Sequence, residues 1–399
     1  MKIVVAPDKF KGALPAEQVA RAMAHGLRTV AASADIDLCP MADGGEGTVA
    51  ALVAANSGRI VKRRVCGPLT GMAVEAEIGL IDDGRTAVIE MASASGLHLL
   101  RPEQRNPLRT TSFGTGQLLR AACDLGARRI ILGIGGSATV DGGLGCLQAW
   151  GAAIELENGA VYTTKDRKLT GADVGKVMSV SSAGQKRPRR ARAIGRAVRA
   201  LPPAAAGGLN EDIEIVVACD VANPLFGANG AAPVFGPQKG ATPQQVRELD
   251  WALHNFARRT GHLQAAEAPG AGAAGGLGFA MLAFFNATLR SGIEIVIEAT
   301  RLRRRLEGAD LCLTGEGCLD LQSLAGKTAI GVGRLCREMG VPCIALAGAI
   351  GEGAAEAFRD DLTAQFAICD RPMTLEQAMA RTAELLATAA ANVLRTFAA

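Results

Sequence analysis

No two of the ten cysteines stand in a CxxC pair, and the chain has only four histidines. Most of the cysteines sit in apolar runs such as IVVACD and DLCLTG. That pattern excludes a disulfide framework and a paired-cysteine zinc site, and reads as reduced thiols in a cytoplasmic protein. None of the histidines lies beside a Ser or Cys loop, so a hydrolase triad has little support. Neither sign of charge is in excess: 43 Lys+Arg against 39 Asp+Glu leave a formal +4. A balance that small does not by itself imply nucleic acid or an acidic membrane surface as partner. The N-terminus lacks a long apolar run, because MKIVVAPDKFKG breaks at Pro7, Asp8 and Lys9, so no signal peptide is read there. Charge is missing altogether from 268–289, close to the ~20 residues of a spanning helix. The first half of that stretch is Gly-rich, however, and only LGFAMLAFF is strongly apolar. It reads as a Gly-rich loop running into a buried helix of a soluble protein.

What is present is an ordinary globular composition, 49% hydrophobic and 21% charged over 399 residues. Such a chain buries a large core in two or three domains, or in two with one inserted in the other. Glycine, 49 of 399 residues, exceeds the usual ~7%, which suggests tight βα turns and loops where backbone approaches a ligand. Residues 2–6 (KIVVA) read as a buried strand, the pattern from Pro15 as a helix, 36–38 as a second strand and 48–55 as a second helix. That βαβα opening argues for a parallel sheet. Over 59–92 the runs VKRRVCG, AVEAEIGLI and TAVIEMA alternate and read as antiparallel strands. The α/β rhythm resumes with helix 112–125, strand 128–134 and a helix ending near Trp150. Further strands are expected at 213–220, 309–315, 341–348 and near 365–369, with helices over 327–339 and 374–396. The two α/β ends are expected to pack together, with the middle inserted. Residues 185–199 carry seven Lys/Arg and no acid, but no aromatic residue interleaves to stack on bases, so they read as a solvated face.

Three Gly-rich stretches carry the chemistry, each read as a loop following a strand. PMADGGEG (40–47) places Asp43 and Glu46 at a helix N-terminus. GIGGSATVDGG (133–143) offers the backbone of Gly135 and Gly136, the hydroxyls of Ser137 and Thr139, and Asp141. TGEGCLD (314–320) supplies Glu316 and Asp320, with Lys327 at the start of the next helix. Unpaired amides at a helix start can cradle phosphate. Carboxylates beside such a cradle would repel phosphate unless a divalent cation intervened, and hard oxygen ligands suit Mg²⁺. The combination reads as a metal–nucleotide phosphoryl-transfer site. AGKT at 325–328 is not a P-loop, since Leu321 stands where the pattern needs Gly, and GTG at 114–116 is no dinucleotide fingerprint, since Leu119 stands where the third Gly is due.

The motifs APDKFKG (6–12), PMADGGEGT (40–48), TTSFGTGQL (110–118), GIGGSATVDGG (133–143), CDVANPLFGANGAAPVFGPQKGAT (219–242), PGAGAAGGLGFA (269–280) and TGEGCLDLQSLAGKT (314–328) stand in one order along the chain. In that order the sequence resembles the bacterial glycerate kinases over nearly its whole length. The resemblance implies transfer of the ATP γ-phosphoryl group to a hydroxyl of D-glycerate, with Mg²⁺ as cofactor and 2-phosphoglycerate favoured as product. It also implies an α/β fold: a flavodoxin-like doubly wound parallel-sheet domain, expected at 1–65 and 290–399, and a second mixed α/β domain inserted at 66–289. The active site is expected in the cleft between them. Val140, Cys318 and Ala329 depart from the Asn, Arg and Pro usual in the family, and 174–210 matches none of its motifs and is expected to replace or extend a family loop.

By charge and position, Asp43, Glu46, Glu316 and Asp320 are the expected metal ligands. Asp8, Lys9, Lys11, Gly135, Gly136, Ser137, Thr139, Asn223 and Lys239 are the expected contacts to phosphate or to the glycerate carboxylate. Asp220, at the end of strand 213–220, is the first choice for orienting the attacking hydroxyl, Asp141 the second, and Lys327 the expected stabiliser of charge on the transferring group. The expected partners are the small-molecule substrates alone, without nucleic acid or membrane, and a homo-oligomer is compatible with the sequence. The rival readings are a kinase of a related small hydroxy acid, a nicotinamide-dependent hydroxy-acid dehydrogenase, and a nucleic-acid-binding regulator.

Overall fold

A computed structural model describes residues 1–182, 213–319, 328–354 and 361–397. The basic run 185–199, Asp320 and Lys327 lie outside the described residues. In chain order the strands are β1 (Lys2–Val5), β2 (Asp35–Leu38), β3 (Arg59–Cys66), β4 (Ala73–Ile81), β5 (Thr86–Glu90), β6 (Arg129–Gly133), β7 (Ala152–Leu156), β8 (Val161–Tyr162), β9 (Val177–Ser182), β10 (Glu214–Ala218), β11 (Thr288–Arg290), β12 (Leu311–Leu319), β13 (Cys343–Ile350) and β14 (Ala364–Ala367). They divide between two compact units. The first comprises Met1–Ile60, Gly79–Asp83 and Arg290–Ala399, the second Val61–Ile78 and Gly84–Leu289.

In the first unit the sheet order is β14-β13-β12-β1-β2, and every pairing in it is parallel. Numbered within the unit, that is the 2-1-3-4-5 order of flavodoxin-like sheets, whose switch point falls between the first and third strands. Here those strands are β1 and β12. The sheet's inner strands β1, β12 and β13 are largely buried and begin as apolar runs of Ile, Val, Leu and Ala, as strands covered on both faces must be, while the edge strands β2 and β14 are partly exposed. Ile3, Val5, Leu313 and Leu346 pack with Met23 and Leu27 of helix Ala16–Val30 and Leu386 of helix Thr382–Phe397 in one core. The two helices approach closely at Gly26, where a Cβ would stand 1.9 Å from the carbonyl oxygen of Ala387.

β12 runs further than the sequence suggests. TGEGCL was expected as a loop, yet Thr314 to Leu319 continue the strand, with Glu316 opposite Ala347 and Cys318 opposite Ala349 on β13. The glycines that suggested a turn serve close packing instead. A Cβ on Gly315 would meet the Leu346 carbonyl oxygen at 2.1 Å, the close backbone approach that strand glycines permit.

The second unit holds a six-stranded sheet in the order β11-β10-β6-β5-β4-β3. β5 was expected among antiparallel strands, but it runs parallel to β6, as β10 does. Four of its five residues are buried, the continuous burial of a parallel strand covered on both faces. A small antiparallel sheet, β8-β7-β9, occupies residues 152–182, where no strand was read. The uncharged stretch 268–289 forms the buried helix Ala273–Phe285, and no helix of the described residues is long and apolar enough to cross a membrane.

Candidate active site

In the first unit the chemistry gathers at the carboxyl ends of β1, β2 and β12, the place where open parallel sheets bind ligands. Asp8 follows β1, and its amide donates to the Gly315 carbonyl oxygen at 2.8 Å, tying the loop to β12. Its buried carboxylate accepts from the Thr328 hydroxyl at 2.6 Å and from the Lys9 amide at 2.6 Å. The Lys9 ammonium stands 3.8 Å from Asp8 and 4.0 Å from Asp43. Burial pushes the Asp8 carboxyl up, against the pull of Lys9, and the neighbouring Asp43 adds to the rise. Asp43 in turn accepts from the Gly45 amide at 3.0 Å. Gly47, at φ +93°, opens helix Thr48–Ala55, and a Cβ there would lie 3.6 Å from the Lys9 stem. Glu46 and Lys11 are exposed, and Glu316 on β12 is buried.

In the second unit the parallel strands β5, β6 and β10 end level with one another, Glu90 opposite Gly133 and Gly133 opposite Ala218. Loop 134–143 follows β6, and exposed Asp220 follows β10 at the same edge. Gly135 and Gly136 present their backbone at the surface, while Ser137 and Thr139 are buried. Beneath them the Lys239 ammonium, 2% exposed, donates to the Ser137 hydroxyl at 2.6 Å and to the Thr139 carbonyl at 2.7 Å. Burial pulls Lys239 down to about 7, opposed by the charge of Asp141. Asp141 is itself wholly buried. It accepts from the Ser112 amide and hydroxyl, both at 2.7 Å, and from the amides of Gly143 and Gly145, both at 3.2 Å. Burial pushes its carboxyl up against those four bonds. Asn223 spends its side-chain amide on the Asn229 carbonyl at 2.8 Å.

The Gly-rich turn before helix Ala273–Phe285 underpins the same loop. The Gly142 amide donates to the Gly275 carbonyl at 3.0 Å. Gly275 has φ +68°, and a Cβ there would stand 1.9 Å from the Thr139 carbonyl oxygen. Gly275→Ala is therefore expected to destabilise the protein by about 1–3 kcal/mol and to lower kcat by displacing Thr139. Thermal melting and steady-state kinetics check it; an unchanged melting temperature would show that the loop does not rest on this turn.

The residues singled out from sequence thus fall into two groups. Asp8, Lys9 and Asp43 come together at the switch point of the first unit, with Glu46 on the loop after β2, Glu316 on β12 and Lys11 on the loop after β1. Gly135, Gly136, Ser137, Thr139, Asp141, Asp220, Asn223 and Lys239 belong to the second unit. Sequence reasoning missed Ser112, which anchors Asp141, and Thr328, which anchors Asp8. Both stand inside the recognised motifs TTSFGTGQL and LAGKT, but only tertiary contact reveals what their hydroxyls hold.

A flavodoxin-like sheet with carboxylates and a lysine at its switch point, in one chain with a Gly-Gly-Ser loop at a second parallel-strand edge, defines an α/β kinase of small molecules. The family model for glycerate kinases matches residues 3–398, and the chain belongs to the glycerate kinase family. It is 45% identical to a glycerate kinase of Halalkalibacterium halodurans over 98% of this chain and 97% of the relative. It is 40% identical to the glycerate 2-kinase of Escherichia coli over 100% and 98% of the two chains. A crystal structure from Salmonella typhimurium LT2, described as a glycerate kinase 2, superposes with a TM-score of 0.84 at 42% identity, covering 100% of this chain and 98% of that one.

Proposed function

We propose that the protein transfers the γ-phosphoryl group of ATP to the 2-hydroxyl of D-glycerate, giving 2-phosphoglycerate and ADP. The observation that carries this reading is the carboxylate–lysine group at the β1/β12 switch point of a chain in the glycerate kinase family. The relative named glycerate 2-kinase favours the 2-position.

Phosphoryl transfer asks a protein for positioning and for neutralisation of charge more than for covalent chemistry. Asp8, Asp43, Glu46 and Glu316 offer oxygen donors at this end of the sheet, and Mg²⁺ would need only one or two of them beside waters and substrate phosphates. When bound, Mg²⁺ would neutralise charge on the phosphate oxygens. Lys9, within 4.0 Å of two of those carboxylates, and Lys11 supply positive charge to the nucleotide phosphates. Thr328 and the Lys9 amide hold the Asp8 carboxylate in one orientation. Lys327 and Asp320 flank this group in sequence and extend the same charge pattern.

In the second unit the surface backbone of Gly135 and Gly136, with Ser137, receives an anionic group, and Asp220 orients the attacking hydroxyl and takes its proton. Asp141 and Lys239 act from beneath. Both are buried and bonded to neighbouring protein groups, and in this reading they hold the loop in place and leave the substrate to Asp220. In the cell the reading corresponds to a cytoplasmic metabolic enzyme.

The test is ADP release coupled to a reporter, with and without D-glycerate, followed by the ³¹P spectrum of the product. A phosphate ester at the 2-position couples to one carbon-bound proton and gives a doublet, whereas one at the 3-position couples to two and gives a triplet. Release that does not require glycerate would overturn the reading, and a triplet would move the product to the 3-position.

A further inference from the structure

Three of the buried cysteines converge on one point, with Cys312 four residues before Glu316 along β12. Cys312 on β12 and Cys343 on β13 are direct neighbours in the parallel register. Adjacent strands lie about 4.8 Å apart, and side chains paired in register share a face of the sheet. Helix Thr328–Met339 brings Cys336 to the same place, and the Val341 amide closes the turn onto the Cys336 carbonyl at 2.9 Å. All three sulfurs lie within 4.8 Å of one another. None of the three residues is more than 2% exposed.

We propose that Cys312, Cys336 and Cys343 form a three-thiolate site for a soft closed-shell cation, copper(I), within the first unit. Single buried cysteines behave as small apolar side chains, and that suffices for Cys39 or Cys146, which are buried and belong to no such cluster. It does not account for three thiols from three elements meeting at one point. Sulfurs around a trigonal ion at about 2.3 Å would be about 4.0 Å apart, so no pair needs to close by more than about 0.8 Å from the 4.8 Å limit.

The absence of a fourth donor selects the ion. Structural zinc is almost always tetrahedral, and among the described residues no further His, Cys, Asp or Glu joins the group. Burial leaves the site without surface for water to complete four ligands. Soft thiolates suit copper(I), zinc and iron–sulfur clusters, and three sulfurs without a fourth donor favour copper(I) among them. Binding one copper(I) forms three Cu–S bonds and releases the protons of whichever sulfurs were still thiols, with no change in oxidation state.

The probe is copper(I) itself, delivered anaerobically to the full chain from a competing chelator. X-ray absorption of the one-to-one complex should show three sulfur neighbours at about 2.3 Å. The melting temperature should rise with copper(I) in the wild type and stay unchanged in Cys336→Ala and Cys343→Ala. Two sulfur neighbours, a rise that persists in both variants, or uptake confined to exposed Cys318 and Cys369 would overturn the proposal. A Cys312–Cys343 disulfide formed on exposure, seen as a loss of two hydrogens in the intact mass, would overturn it as well. Tighter uptake of zinc in a parallel titration would overturn the choice of ion. If either variant fails to fold, the absorption spectrum of the wild type decides.

Discussion

Asp220→Asn is expected to lower kcat by about 10²–10⁴-fold with little change in KM for ATP, since general-base assistance is typically worth that much. Asn keeps the size and much of the hydrogen bonding of the carboxylate but cannot take a proton. Asp220 is exposed and two residues beyond β10, at the edge where β6 delivers the Gly135–Gly136 backbone, so it can meet a substrate hydroxyl without rearrangement of the core. As a turn cap before Asn223–Pro224 it would be worth only about 1 kcal/mol, and the variant would then melt earlier yet turn over nearly normally. Stopped-flow kinetics beside a melting curve separate the two. Retention of more than a tenth of the activity would remove Asp220 from the chemistry, and Asp141 could not replace it, because its oxygens already accept four hydrogen bonds.

Lys239→Met should fail differently. The ammonium holds Ser137 and the Thr139 carbonyl from below, and a displacement near 1 Å at a positioning group costs about 10²-fold in rate. An ordinary lysine titrates near 10.4, whereas burial brings Lys239 to about 7. Between those values the unfolded chain keeps a proton that the folded chain has shed, so stability rises with pH across the window. Below about 7 the folded state carries the full penalty of a buried charge. The stability difference, wild type minus variant, should therefore grow from pH 7 towards pH 10, and the variant should lose this dependence. Denaturant melts over that range check the sign. Parallel curves for the two proteins would show that Lys239 keeps its charge throughout.

The fold was legible where periodicity and punctuation agreed. KIVVA, RIILG and IEIVVACD are apolar runs bounded by turn residues, and each became a parallel strand. TGEGCL misled because glycine in a sequence looks the same whether it turns a chain or lets two strands approach, and only the Leu346 carbonyl beside Gly315 tells them apart. The candidate site was legible as residue types, since Gly loops and carboxylates announce phosphate chemistry. The depth of each group was not. Asp141 and Asp220 read alike in sequence, yet one is sealed under four donors and the other is exposed. That difference is made by Ser112, 29 residues away. The thiol cluster was invisible for the same reason, because Cys312 and Cys343 become neighbours only through strand register.

The pairing of β1 with β12 also sets an order of events during synthesis. Ile3 has its sheet partner at Leu311, so the ribosome must add about 300 residues before the N-terminal strand can be enclosed. At about 5–20 residues per second that takes roughly 15–60 s. The second unit, whose segments lie between those strands, has time to condense first, while Lys2–Val5 and helix Ala16–Val30 wait without the helix Thr382–Phe397 that covers them. An apolar edge left open that long invites pairing with another chain. Nascent chains stalled before β12 should therefore be the ones that holdase chaperones retain, and release should follow once β12 and β13 have left the exit tunnel.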